Sequence, residues 1–406
     1  MMRSLFSAVS GLRVHQTRMD VIGNNIANVN TPGYKSSRVT FQELFSQTLR
    51  GAGSPTGTSA SERGGTNPMQ VGLGVSIASI DTIHTPGNLQ PTSRPTDLAI
   101  EGEGFFVVQD GETLAYTRVG NFSLDALGVL VDPEGRKVLG WTADEDGSIS
   151  TSGPLGALRI PFGEWIDAQP TSRVEWIKNL DAEATVGFSK TTSVTVYDSL
   201  GRAHSIQVNF EKTGSNTWEW KALLPDGTEP SGTITFDTEG RVVDVSENQF
   251  SFTPEGADSV VITMDFTKLT QVAGPTTVEA GVTDGWPGGS LESFSFDSNG
   301  VITGFYSNGR IRVLGQIAVA GFANPSGLIK TGKNLYIQSN NSGRPEIGAA
   351  GTGGRGTIAP SSLEMSNVDL AEEFTQMIIT QRGFQANSRV ITVSDELLQE
   401  LVNLKR

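Results

Sequence analysis

The 406-residue sequence predicts a mainly β protein with α-helices at its two ends. Three observations predict this. Residues 5–29 repeat apolar side chains at a 3-4 spacing, the last forty residues do the same, and the chain between them alternates in short runs cut by glycine. The expected architecture is a pair of coiled-coil-like terminal helices carrying two β-rich domains in series, the outer domain inserted in the inner one.

The first stripe is Leu5, Ala8, Leu12, Met19, Ile22, Ile26 and Val29, broken at His15. It is narrow enough for a coiled-coil seam. The second is Leu370, Phe374, Met377, Phe384, Ile391, Leu398 and Val402, with Gln381, Ser388 and Asp395 as interruptions. Opposite charge favours pairing of the two. Residues 1–35 carry Arg3, Arg13, Arg18 and Lys35 against Asp20, whereas residues 363–406 carry seven acids against four bases. Helices of this length are marginal alone, so both ends are expected to be disordered or frayed in the monomer and to order only when each seam finds its mate and its neighbours.

The first helix should stop near residues 28–31, because Pro32 disfavours helix at Thr31 and Gly33 can take a positive φ. The turn residues of interest are Asn28, Asn30, Thr31, Pro32, Gly33 and Tyr34. Phe41, Leu44, Phe45 and Leu49 suggest a short amphipathic helix over 40–49. Residues 51–67 are Gly, Ser, Thr and Pro with almost nothing apolar, which reads as a flexible or extended linker. From Val71 the period changes to that of strands. Asp-x-x-Gly recurs between apolar runs at Asp125, Asp132, Asp198, Asp237 and Asp297, and is read as a hairpin turn with glycine in the left-handed position. A calcium loop would need clustered acids and a closing Glu. Thr, Val and aromatic residues dominate about 147–287, the pattern of an antiparallel sandwich or barrel. Asn308-Gly309 marks a further hairpin, 348–356 a second Gly-rich linker, and the final helix is expected from Val368 with Asn367 as its cap. The expected divisions are 1–34 with 363–406 for the helices, 35–72 for a linker arm, 73–146 with 288–362 for the inner β domain and 147–287 for the outer one.

Composition limits function. The net charge of −14 leaves no basic stripe to neutralise phosphates, so nucleic acid is not an expected partner. There is no cysteine, which excludes disulfides, thiolate nucleophiles and Cys-ligated metals. No 18-residue apolar run exists to span a bilayer, and residues 5–12 are too short and polar for a cleaved secretory signal. His15, His84 and His204 fit neither a zinc spacing nor a catalytic triad. Gly102-Glu103-Gly104 is followed by a strand rather than a helix, so it is not a phosphate loop. Glu164-Trp165-Ile166-Asp167 is the nearest approach to a glycosidase carboxylate pair. No catalytic residue, cofactor or metal is expected.

Residues 24–35, NNIANVNTPGYK, resemble the N-terminal signature of the bacterial flagellar rod, hook and hook-associated axial proteins. SNVDLAEEF, QRGFQANSRVI and LVNLKR near the other end are similar to that family's C-terminal segment, and DLAIEGEGFFVVQDG and YTRVG to its inner β domain. About 140 residues inserted between the halves of that domain, with VTVYDSLGRAH among them, point within the family to the hook. The resemblance implies a curved tubular homopolymer that serves as a universal joint between rod and filament. It implies export by the flagellar type III apparatus, and as partners the distal rod protein, the hook–filament junction protein and the hook cap. The alternatives are a distal-rod-like axial protein and a secreted β-rich carbohydrate-active protein. The insert argues against the first, and the terminal seams and missing secretory signal against the second.

Overall fold

A computed structural model describes residues 2–55, 64–144 and 147–404. Strands dominate, with one long helix at each end: α1 (Met2–Ala27) and α2 (Leu370–Asn403). The chain forms two compact units. One comprises Met1–Ile160, Ser295–Thr303 and Val313–Arg406, and the other Pro161–Phe294 with Gly304–Arg312.

In the first unit α1 and α2 run antiparallel, since Asn25 meets Glu373 while Gly11, fourteen residues earlier on α1, meets Asn387, fourteen residues later on α2. The strand pair Ser37–Glu43 and Val75–Thr82 packs along α1. His15 stands edge-on to Phe41 at 5.7 Å and the Arg18 guanidinium lies over the same ring at 5.4 Å. The body of the unit is an antiparallel sheet. Its register sets Ile317 against Gly140, Val138 against Val108, Val107 against Tyr116, and Tyr116 against Tyr336. Phe105, Val107, Tyr116, Trp141, Ala318 and Tyr336 form a buried core on one face.

The second unit holds two sheets around one apolar core. Ser189–Tyr197, Ala203–Lys212, Thr217–Leu223, Ser231–Phe236 and Val242–Val245 follow each other as an antiparallel meander. The facing sheet orders Gln249–Phe252, Val260–Val272, Arg173–Asp181 and Glu279–Thr283. Its central pair, Arg173–Asp181 with Val260–Val272, is parallel, so the sandwich is not wholly antiparallel as expected. Trp176, Trp218 and Trp220 are fully buried between the sheets.

The Asp-x-x-Gly segments are turns. At each of the five the glycine has φ between 75° and 82°, and the aspartate Oδ1 accepts from the amides two and four residues on. One carboxylate thus satisfies the donors that the reversal takes out of the ladder.

Four local expectations are corrected. Residues 40–43 and 46–49 are strand, not helix: Phe41 and Leu44 lie in or beside two-stranded ribbons, and propensity over ten residues is a weak prior against that pairing. Ser46–Arg50 pairs with Met69–Gly72, and Gly53 with Thr66, so the described part of the arm is a β-ribbon; positions 56–63 of the expected linker lie outside the described residues. In the second Gly-rich stretch, Gly348 and Ala349 belong to a strand paired with Val319 and Ala318. Finally α2 is capped by Asp369, whose carboxylate accepts from the amides of Ala371 and Glu372, rather than by Asn367.

Candidate assembly interface

The helix pair closes on small and polar side chains. Along α2 the residues facing α1 are Glu373, Gln376, Thr380, Gly383, Asn387 and Ser394, with Thr380 and Ser394 buried. Along α1 they are Ala8, Gly11, His15, Arg18, Ile22 and Asn25. A Cβ on Gly11 would lie 2.8 Å from Asn387 Nδ2, and one on Gly383 would lie 2.7 Å from His15 Cε1. Arg18 hydrogen-bonds Gln376, and Asn25 Nδ2 donates to Glu373 Oε1 at 2.8 Å. Burial, the largest cause, holds the Glu373 carboxyl above the usual carboxylate range, against the lowering bond from Asn25.

On α1 this stripe shares Ala8, His15 and Ile22 with the stripe that the sequence marks, whereas on α2 it is rotated from the marked apolar residues. Of the expected α1 seam, Ile22 is buried and Leu5, Leu12, Met19, Ile26 and Val29 are half-buried. Of the expected α2 seam, Met377, Ile391 and Leu398 are half-buried, while Leu370, Phe374, Phe384 and Val402 are exposed. Successive positions on a helix lie about 100° apart. Glu373, Thr380, Asn387 and Ser394 are therefore one position round from the Phe374 line. The sequence reading passed over them because it counted only apolar residues. Their seven-residue spacing was the available signal.

Below the helices the turn residues fasten both chain crossings to the sheet. Gly33 has φ of 67°, and a Cβ there would sit 2.9 Å from the backbone of Arg118 and Val119. That close approach and the left-handed backbone together require glycine. The Gly33 amide donates to the Glu364 carbonyl at 2.8 Å. Tyr34 Oη donates to Asn25 Oδ1 and accepts from Asn24 Nδ2, both at 3.1 Å. Asn28 Oδ1 accepts from the Thr31 hydroxyl, the Pro32 carbonyl accepts from Asn334, and Asn30 stays exposed.

Next to the turn Lys35 and Glu364 form a buried ion pair at 2.6 Å. Glu364 Oε1 also accepts from the Gly87 amide, and Oε2 from Arg118 Nη1 at 3.3 Å. Arg118 donates further to the carbonyls of Ile100 and Gly102. Burial lowers the Lys35 and Arg118 pKa values, and Glu364 pulls each back up. Asn367 accepts from the Ser36 amide and donates to the Ile83 carbonyl, so it braces the crossing instead of capping the helix. His84 packs edge-on to Phe105 and Tyr336 at 5.6 and 5.4 Å. Burial, aided by Lys35, Lys330 and Arg118, pushes its pKa down to about 4.

The chain matches four families along its length. Residues 5–35 match Flagella basal body rod protein, and residues 99–172 the Flagellar hook protein FlgE/F/G D1 domain. Residues 166–286 match the Flagellar basal body protein FlaE D2 domain, and residues 359–404 the Flagellar basal body rod FlgEFG protein C-terminal family. It is 43% identical to the flagellar hook protein FlgE of Treponema pallidum and 42% identical to that of Borreliella burgdorferi, over the whole of each chain. It is also 35% identical to the flagellar basal-body rod protein FlgG of Bacillus subtilis over the whole of both. The crystal structure of Helicobacter pylori flagellar hook protein FlgE2 shares the fold, with a TM-score of 0.56 at 17% identity over 68% of this chain and 100% of that one. Four segments are thus matched along the chain, alongside hook-protein relatives over its whole length, and the chain belongs to the bacterial flagellar hook protein family as a structural subunit of the hook.

Proposed function

We propose that copies of this chain polymerise into a curved, flexible tube that acts as a universal joint and carries torque from rod to filament. One observation carries this reading. The α1–α2 pair is closed by polar and small residues, and exposed apolar side chains line the rest of α2, Phe374 at 50% and Val402 at 68% among them. Side chains of this size gain by leaving water, and each contributes roughly 1.5–3 kcal/mol when fully buried. A homopolymer supplies that burial on every subunit.

In this reading the terminal helices line the tube, the helix seam and the turn at Asn28–Tyr34 bind neighbours, and the β units slide as the joint bends. The domain divisions set out from the sequence are proposed as the corresponding layers. The subunit works as a structural part and not as an enzyme. It leaves the cell through the flagellar type III apparatus without a cleaved signal peptide. It meets the distal rod protein at one end of the tube and the hook–filament junction protein at the other, and adds beneath the hook cap. A distal-rod role is the second reading, favoured by the rod-protein relative and by the β-ribbon that pairs Ser46–Arg50 with Met69–Gly72.

Antibody against residues 153–284 tests this on detergent-extracted flagella viewed by electron microscopy. Gold along the short curved segment outside the rings is expected. Gold confined to the ring region supports the rod reading instead.

A further inference from the structure

The outer side of α1 and the start of the neighbouring ribbon enclose an open groove of about 510 Å³. Phe6, Val9, Leu44, Val75 and Ile77 give it apolar walls, and Arg13 is its one charged lining residue. Arg13 makes no ion pair among the described residues, and Phe6 is 67% exposed. Among the described residues α2 does not cover the groove, since it lies against the other side of α1.

The end of α2 offers a match. Val390, Val393, Leu397 and Leu401 recur at intervals of three and four, and all are exposed. Glu396 and Glu400 run beside this ridge, also exposed and without ion pairs among the described residues. The ridge spans Val390 to Leu401 and the α1 side of the groove spans Phe6 to Thr17, so each is twelve residues, with about 16 Å of helix from first to last. Apolar ridge meets apolar groove, and two free carboxylates meet a free guanidinium.

We propose that the Val390–Leu401 ridge of one copy docks in the Phe6–Arg13 groove of the next, with Glu396 and Glu400 against Arg13. The occupant is a second copy of this chain. The contact is heterologous, head to tail, so it repeats along a polymer rather than closing a two-fold dimer. Arg13 sets register and direction, and the apolar ridge contributes most of the binding. This rests on the polymer reading above and names the faces that meet.

The absence of cysteine gives the test a silent background. Val9→Cys and Leu397→Cys are made in separate chains of different tagged length, co-assembled into polymer and oxidised. A disulfide-linked heterodimer containing one chain of each kind is expected, with neither variant cross-linking when assembled alone. Val9→Cys linking to itself, or normal polymers with no cross-link, overturns the docking. Arg13→Glu should raise the critical concentration for assembly about tenfold, and combining it with Glu396→Arg should restore it. Absence of that restoration overturns the charge contact. Wild-type chain that stays monomeric overturns the polymer reading and this contact with it, whereas wild-type polymer without the heterodimer overturns this contact alone.

Discussion

Lys35 Nζ lies 2.6 Å from Glu364 Oε1, and neither side chain has exposed surface. The two residues stand at opposite ends of the sequence, one just after α1 and the other just before α2. Both crossings between helices and sheet therefore share one charge centre, completed by Arg118.

Glu364→Ala should destabilise the first unit by about 3–5 kcal/mol, because Lys35 and Arg118 would be left as buried, uncompensated cations. Denaturant unfolding of the monomer checks it. A loss below about 1 kcal/mol would mean that water reaches the pair.

Gly33→Ala places a methyl against the backbone of Arg118 and Val119 while forcing a left-handed residue. Neither obstacle can rotate away. The expected cost is about 1–3 kcal/mol, read as a lowered melting temperature. Gly383→Ala should cost less, since its methyl meets the His15 ring, a side chain that can turn.

Acid should weaken the first unit through His84. Its folded pKa of about 4 lies below the ordinary 6.5, so the unfolded chain takes up a proton more readily. The stabilisation is complete above pH 6.5, declines as the pH falls, and is gone below about 4, for a total of up to roughly 3 kcal/mol. His84→Phe should flatten the stability profile across that window. An unchanged profile would assign the acid sensitivity to other groups.

Deleting residues 370–406 should abolish polymerisation and leave the β units folded. Circular dichroism would retain its sheet signal while sedimentation shows only monomer. Loss of the sheet signal would mean that α2 is part of the body rather than an appendage to it.

The terminal helices, the turn at Pro32-Gly33 and the five aspartate turns were legible because each depends on local pattern: a 3-4 period, a fixed φ, a positive φ after an acid. What stayed hidden depends on partners distant in sequence. Phe41 and Leu49 look helical until Ile77 and the strand at Met69–Gly72 lie opposite that stretch. Glu364 reads as one acid among many until Lys35 and Arg118 close around it. The apolar α2 stripe was visible, but not that Asn387 and Ser394, rather than Phe384 and Val402, would face α1. Periodicity finds a helix face and leaves open whether it turns inward or outward.

The anchoring of both crossings at Glu364 also bears on mechanics. A pull or twist on α1 arrives at Gly33 and Lys35, and one on α2 arrives at Glu364 itself. The two helices cannot be loaded independently, because strain in either is shared at this knot before it reaches the sheet. Arg118 then spreads it to the carbonyls of Ile100 and Gly102. A shaft built from such subunits would fail by parting between copies sooner than by unthreading any one of them.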